Sequence, residues 1–500
     1  MQLSAREAKP SLESIESHIR AGRFGCARAE LAIIRRLAPN LPREPRVLMA
    51  SLYRRAGAAN LGLRLLHAIV APGSARRAAL RPLTAELCEY GALLQRVGAD
   101  HEAMRIFDQI DPREAPQALL FRAFGLMRRW EYAAAAPLLE SYSADPSLTD
   151  YQRAVVRVNL AAAWVETGRP DAEALLDDLK TRFSAESFRL LRVNVLELDA
   201  ERLMRLGQCA LARDRVVAAR QALGEGHSID SLSLDKLLAA LDGSSERLAT
   251  IREALARACA WENARDCDHQ LALLTKDSDL LARLSLGTPH EAYRQRLRRE
   301  FNLAALPSEY LLNLGPVPGA TASNRMAFDA EELGRSLGEG KVLHRLFLAL
   351  VADFYRPARV AEIYERVFAE RHFDPRAAEA VVYQAIYRLR RMLQRQKLPF
   401  VVVKSKGAFR LESLVSVVLR LRAPPRSALS SDLLLECSLR RLRAKFATRA
   451  DFSRKEAEAA LEMHSRTTKR LLRASIASGR ATKTGKGPAS RYRLLGELKS

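Results

Sequence analysis

Five hundred residues exceed one ordinary domain, so three or more are expected. Ala, Leu and Arg dominate and aromatics make up 6%, a balance that favours helix over sheet. The formal net charge of +23 is unevenly placed: residues 1–330 carry about +4 and 331–500 about +19, the surplus beginning after Ala380. Charge confined to one end points to a polyanion-binding module joined to a near-neutral body. A membrane partner is not expected: no apolar run approaches the ~20 residues of a span, and no lipidation motif or basic amphipathic anchor appears. The N-terminal stretch lacks the apolar core of a signal peptide, and the six cysteines form no C-x-x-C. A reduced cytoplasmic location, with nucleoid association, is the expectation.

The first three hundred residues show helical periodicity and almost no strand pattern. A theme returns every 30–40 residues or so: a small residue, Ala or Gly five positions on, and a large apolar residue four further. Gly22, Ala27 and Leu31 give one copy, Gly57, Gly62 and Leu66 a second, and Gly98, Ala103 and Phe107 a third. Arg129, Ala134 and Leu138 follow with arginine at the first position; Gly168, Ala172 and Leu176 are one residue short; Gly207, Ala212 and Val216 complete the set. The glycine ends one helix, the small residue lets the next approach, and the large residue fills the groove between hairpins. GRFGCARAEL, from Gly22 to Leu31, resembles the tetratricopeptide repeat. That resemblance implies an α-solenoid with a concave surface for a protein, peptide or small ligand. Trp130, Trp164 and Trp261 read as core residues.

The stretch LGPVPGATASNR, Leu314 to Arg325, marks a boundary. Beyond it, Lys341 to Tyr355 and Val360 to Ala369 read as helices. Asp374 and Pro375 open a third, as N-cap and first-turn proline, and FVVVKSKGAFRL reads as a hairpin. AIYRLRRML, Ala385 to Leu393, followed by that apolar strand and the FRL ending, resembles the OmpR/PhoB-type winged helix of bacterial regulators. Val382, Ile386, Leu389 and Leu393 form an inward stripe. The resemblance implies that Gln384, Tyr387, Arg388 and Arg391 meet the DNA groove or backbone, and that Lys404 and Lys406 sit in the wing. This chain departs from the pattern by Ser405 in place of a glycine and by an extra Ala408. The four-stranded sheet that should precede the helices is also not legible, with at most one short strand at Tyr310 to Leu314.

LRLRAPPRSALS, Leu419 to Ser430, reads as a second joint stiffened by Pro424 and Pro425. Ser430 to Phe446 then reads as a helix, followed by helices at Lys455–Met463 and Arg466–Ser478 and a hairpin turning at Gly485, Lys486 and Gly487. That order is the one a winged helix uses to place a helix in the major groove and a wing on the backbone. Thr468, Leu472 and Ile476 share one side of the last helix, to pack on Ala457, Ala460 and Leu461. Arg466, Thr467, Lys469, Arg470 and Arg473 project elsewhere. TTKRLL resembles the recognition-helix pattern of the family. Lys483, Lys486 and Arg491 suit phosphate contact, and Arg388 and Arg470 base contact.

The expected fold is mainly α, a tetratricopeptide-like α-solenoid followed by two winged helix-turn-helix domains. The division is 1–310 repeat body, 311–330 linker, 331–418 first winged helix, 419–429 linker and 430–500 second winged helix. No phosphate loop, HExxH, G-x-S-x-G or zinc spacing is present, so neither catalysis nor a cofactor or metal is expected. Duplex DNA is the expected partner, with a protein or peptide on the repeat surface. The reading is a DNA-binding transcriptional regulator. The alternative is a non-enzymatic interaction scaffold whose winged helices bind protein.

Overall fold

The computed structural model describes residues 11–20, 23–37, 42–71, 81–183, 188–224, 228–315, 326–368, 372–422, 433–446, 451–461, 463, 465–485, 487 and 490–495. The chain is mainly helical, a repeat-like helical solenoid with small sheets towards the C-terminus. The solenoid opens with α1 (Leu12–Arg20), α2 (Phe24–Leu37), α3 (Arg43–Arg55), α4 (Ala59–Val70), α5 (Thr84–Val97) and α6 (Asp100–Phe107). It continues through α7 (Gln117–Arg128), α8 (Tyr132–Ser143), α9 (Asp150–Thr167), α10 (Ala172–Arg182), α11 (Arg189–Arg205) and α12 (Cys209–Leu223). It ends with α13 (Ile229–Leu241), α14 (Ser245–Arg257), α15 (Trp261–Thr275), α16 (Ser278–Leu286) and α17 (Glu291–Glu300).

The repeat theme sets the hairpins. Gly57, Gly98, Gly168 and Gly207 all hold positive φ in the turns, and Ala103, Phe107, Ala172, Leu176, Ala212 and Val216 are buried. Gly22 lies outside the described residues, while its partners Ala27 and Leu31 are fully buried. At Gly62 a side chain would meet the Ala50 carbonyl oxygen at 2.9 Å, so the hairpin there closes on bare backbone. The fourth copy is displaced by one residue from the sequence reading. Trp130 holds the left-handed turn (φ 64°), and Ala135 and Leu139 are buried where Ala134 and Leu138 were expected. The arginine at 129 had suggested the turn; the helix packing places it at 130. Gly243 and Cys259 hold the same turn conformation, and Leu248 and Ala264 are buried five residues after each. The repeat thus runs further than its glycines reveal.

Next come β1 (Glu309–Leu314), β2 (Met326–Asp329), α18 (Ala330–Ser336), α19 (Val342–Leu350), β3 (Ala358–Arg359), α20 (Val360–Val367) and α21 (Ala378–Arg395). Strands β4 (Phe400–Ser405), β5 (Ala408–Ser413) and β6 (Val417–Arg422) complete this module. Strand β6 pairs antiparallel with β1 and parallel with β2, and β5 lies between β3 and β4. Here the structure corrects five expectations. The stretch 311–330, read as linker, holds β2 and most of β1; Leu419–Arg422, read as joint, is the strand to which both pair. The helix expected to reach Tyr355 stops at Leu350. Asp374 caps the turn ahead of the helix rather than the helix itself: its Oδ1 accepts from the Arg376 amide at 2.8 Å, and α21 begins only at Ala378. Ala408 is no insertion, because it pairs with Ser405 across a two-residue turn whose residues, Lys406 and Gly407, both have positive φ.

A final unit comprises α22 (Leu433–Lys445), β7 (Phe452–Ser453), α23 (Arg454–Leu461), α24 (Ser465–Ala477), β8 (Ala481–Thr484) and β9 (Arg491–Leu494), with β9 between β7 and β8. Its core gathers Leu439, Leu442, Phe452, Leu461, Leu472 and Tyr492.

The middle module is not a free appendage. Its core is continuous with that of α4–α7: Leu93, Phe107 and Ala118 belong to one cluster with Leu346, Ile363 and Leu389. On its other side, Tyr355 and Phe354 enter the cluster of Ala272, Leu284 and Leu297. The module therefore bridges two parts of the solenoid some two hundred residues apart in sequence. Among the described residues no helix is long and apolar enough to cross a membrane.

Candidate nucleic-acid interface

On α24 the periodicity separates two faces. Thr468, Leu471, Leu472 and Ser475 are buried, and Ile476 packs against the same core. Ala457 and Leu461 of α23 are fully buried opposite them, with Ala460 at the margin. Arg466, Lys469, Arg470 and Arg473 are exposed and Thr467 is half-buried. A helix of thirteen residues thus presents four cations on one broad side with none beneath it. The hairpin that follows turns at Gly485 (φ 79°) and Gly487 (φ 63°), and Ser490 closes the loop by donating to the Gly487 carbonyl at 2.8 Å. Lys483 and Arg493 are exposed on its two strands. Arg491 is exposed as well but already engages Glu456 at 3.1 Å. Lys486, assigned to phosphate contact from sequence, lies outside the described residues.

On α21, Val382, Ile386, Leu389 and Leu393 are buried, as the inward stripe requires. Gln384, Arg388 and Arg391 are exposed, and Tyr387 is 59% exposed. The Arg391 guanidinium lies 5.9 Å from the Tyr387 ring centroid. Arg395, four residues beyond Arg391 and also exposed, extends this row. It was missed from sequence, although continuing the same helical period would have found it. Arg390, one position off the row, instead donates to the Val402 carbonyl at 3.1 Å and fixes β4 to the helix.

The β4–β5 turn behaves differently from the expected wing. Lys404 donates to the Tyr383 hydroxyl and lies 4.8 Å from that ring; this hydrogen bond raises its pKa. Lys406 reaches the solenoid, its Nζ 3.2 Å from Sγ of Cys259 in the α14–α15 turn. The tip expected on a phosphate therefore rests against the protein's own body. A two-residue turn is too short to reach past the surface it touches.

The seat of this module is polar as well as apolar. Arg265, fully buried, donates through Nη2 to both Asp353 oxygens at 2.8 and 2.9 Å and through Nη1 to Glu262. Tyr355 donates to Asp268 at 2.7 Å, and Phe354 packs so close to Gly287 that a Cβ there would be 2.3 Å from its ring. At the opposite contact, Glu365 accepts from the backbone amides of His101 and Glu102 at 3.1 and 2.8 Å, capping α6. His372 meets Glu102 at 2.7 Å, and Arg359 donates to the Arg96 carbonyl at 3.1 Å. Burial pushes the Glu365 carboxyl up to about 8, against the two amides that favour its charged form.

Comparison with known proteins adds little. No protein-family model matches the chain, and no curated protein matches it. Six solved chains match, among them the crystal structure of the pentatricopeptide repeat protein PPR10 from maize. That match has 13% identity, covers 95% of this chain and has a TM-score of 0.23, too low for residues of one to be mapped onto the other. The chain spans 65% of that protein's length.

Proposed function

We propose that the chain is a DNA-binding transcriptional regulator in which the helical-repeat body senses or recruits a partner. The middle and final modules act as winged helices, and α21 and α24 enter the major groove of duplex DNA. One observation carries this reading: each of these helices buries an apolar stripe while exposing a row of arginines, and each is followed by a hairpin. Arg388 and Arg470 are assigned to bases. Lys469, Lys483 and Arg466 are assigned to phosphate, and Gln384, Tyr387, Arg391 and Thr467 to the groove margin. Lys404 engages Tyr383, Lys406 rests on Cys259 and Arg491 pairs with Glu456, so DNA contact by these three would exchange the contacts they make within the chain. The protein is proposed to act without catalysis.

A second reading draws on the seat of the middle module. A unit that buries its core against the solenoid already uses itself for protein contact, as a scaffold would. Binding of the full chain to duplex DNA across a salt series separates the two. Regulation requires affinity that falls steeply with salt and drops for R388A and R470A. Salt-insensitive or absent DNA binding supports the scaffold, and preference for folded or single-stranded RNA over duplex DNA removes the regulator reading.

A further inference from the structure

The concave side of the solenoid holds a cavity of about 990 Å³, lined chiefly from α7, α9, α11, α13, α15 and α17 and closed in part by Arg356 of the middle module. That volume is at the upper end for small-molecule sites. The charges of its interior are spent on one another: six carboxylates and six lysine or arginine side chains line it. Glu166 and Glu300 hold Arg205 and Arg296, Asp266 holds Lys236 at 2.5 Å, and Glu201 lies between Lys236 and Arg205. Glu197 accepts from the Ser233 hydroxyl, and Glu262 pairs with Arg265. Arg128 and Arg356 pair with Asp100 and Glu362. Arg96 alone of the lining cations has no carboxylate partner among the described residues, and it is exposed.

What the cavity has left unspent is neutral. Among the described residues, the side-chain amides of Asn263 and Gln270 and the hydroxyl of Tyr132 make no hydrogen bond within the chain, although all three are half-buried and line the space. Asn263 and Gln270 lie two turns apart on one face of α15, about 10 Å along its axis. Phe124 of α7 lines the cavity as well; it is half-buried, joins none of the apolar clusters and stacks on no other ring among the described residues. We propose that this cavity binds an uncharged aromatic heterocycle of purine-nucleoside size, its ring against Phe124 and its polar groups on Asn263 and Gln270. A carboxamide offers a donor and an acceptor side by side, which pair with the matching edge of a purine. An aromatic side chain favours any base-like ring by stacking. An ion would have to break an existing pair to bind, which strands a partly buried charge. A saturated hydrocarbon would leave both amides without partners. Burial raises the pKa of the Tyr132 phenol, so it too stays neutral and able to donate.

This inference rests on the repeat body as a sensing surface and not on DNA binding. The test is calorimetric titration of the full chain, without DNA, using adenosine and guanosine, with a capped alanine tripeptide in parallel. At least one nucleoside should bind. The double variant N263A/Q270A should weaken that binding by about tenfold or more, the scale of two lost hydrogen bonds, and F124A by a similar factor, while Q221A on the exposed face of α12 leaves it unchanged. Neither sodium sulfate nor spermidine should displace the bound nucleoside. N263A and Q270A should each melt at or above the wild-type temperature, because neither amide bonds within the chain, and this shows that the variants fold. The proposal is overturned if neither nucleoside binds, if the double variant or F124A binds it equally, or if either ion displaces it. It is overturned too if the tripeptide binds as well as the nucleosides, or if N263A or Q270A melts lower than wild type. Duplex binding is measured separately in the salt series, so failure of the DNA reading and failure of this inference come from different experiments.

Discussion

Gly98 closes the α5–α6 hairpin with φ of 97°, and a Cβ there would lie 2.6 Å from Arg359 Nη2 and 3.0 Å from Cγ of Glu362. That arginine is held by the Arg96 carbonyl and by Glu362, so it cannot simply swing away. Gly98→Ala should therefore cost about 1–2 kcal/mol through the left-handed backbone alone, and more through displacement of Arg359, measured by chemical denaturation. A wild-type denaturation midpoint in G98A would show that the turn tolerates a side chain. On α24 and its hairpin, two residues with the same charge should differ in effect. Arg470→Ala should relax preference among duplex sequences by about 1–3 kcal/mol, since a bidentate arginine–guanine contact discriminates bases. Lys483→Ala should instead weaken all sequences alike and reduce the salt slope by about 1. Competition binding on specific and random duplexes decides between them; equal losses on both duplexes in both variants would remove the assigned roles.

At the scale of elements, the stripes on α21 and α24 were legible because helical period alone fixes which residues share a face. Val382, Ile386, Leu389 and Leu393 are buried, as that period requires, and so are Thr468 and Leu472. Strand β1 was only faintly legible, and β2 and most of β6 were read as linker. Each spans four to six residues, and β1 and β6 are joined by pairing across about a hundred residues, a relation no local pattern encodes. The repeat copy at Trp130 was misread by one residue for a related reason. A left-handed residue other than glycine carries no local signal, and here Trp130 is held in place by Tyr293, its ring centroid 4.7 Å away, and by Arg296 above its face. The loop between α19 and β3 ties the module to α15 through Arg265 and Asp353. Arg265→Ala should cost about 3–5 kcal/mol by stranding a buried carboxylate, whereas replacing both partners with apolar residues of similar size should cost much less. Thermal unfolding of R265A and R265M/D353L compares the two, and equal losses would mean that the pair is not the source of the cost.

For the whole molecule, the middle module acts as a bridge, so its two seats couple the solenoid to α21. One of them responds to pH. Glu365 titrates near 8 in the folded chain and near the ordinary carboxylate range when unfolded. Between those values the folded state holds the extra proton, so this group's contribution to stability falls as pH rises from about 4.5 through 8. Other ionisable groups add their own slopes, but Glu365→Gln should remove this one. The difference in melting temperature between the variant and wild type should grow from pH 6 to pH 9, and a constant difference would show that Glu365 does not titrate there. The final unit is tied to the middle module by the Arg440–Glu339 pair at 3.4 Å, an exposed contact of little energetic weight.

The sequence by itself determined what short-range periodicity and composition can carry. It fixed a helical-repeat body, the inward and outward faces of α21 and α24, the glycine-turned hairpin at the C-terminus and the concentration of charge after Ala380. Tertiary structure alone decided the rest. It set the docking of the middle module between α4–α7 and α15–α17, the resting of Lys406 on Cys259, and the convergence of Glu197, Glu201, Lys236 and Asp266 from α11, α13 and α15 on one cavity. Those relations depend on how far the stacked hairpins curve. That curvature is summed over many small packing angles, and none of them is written in any single stretch of chain.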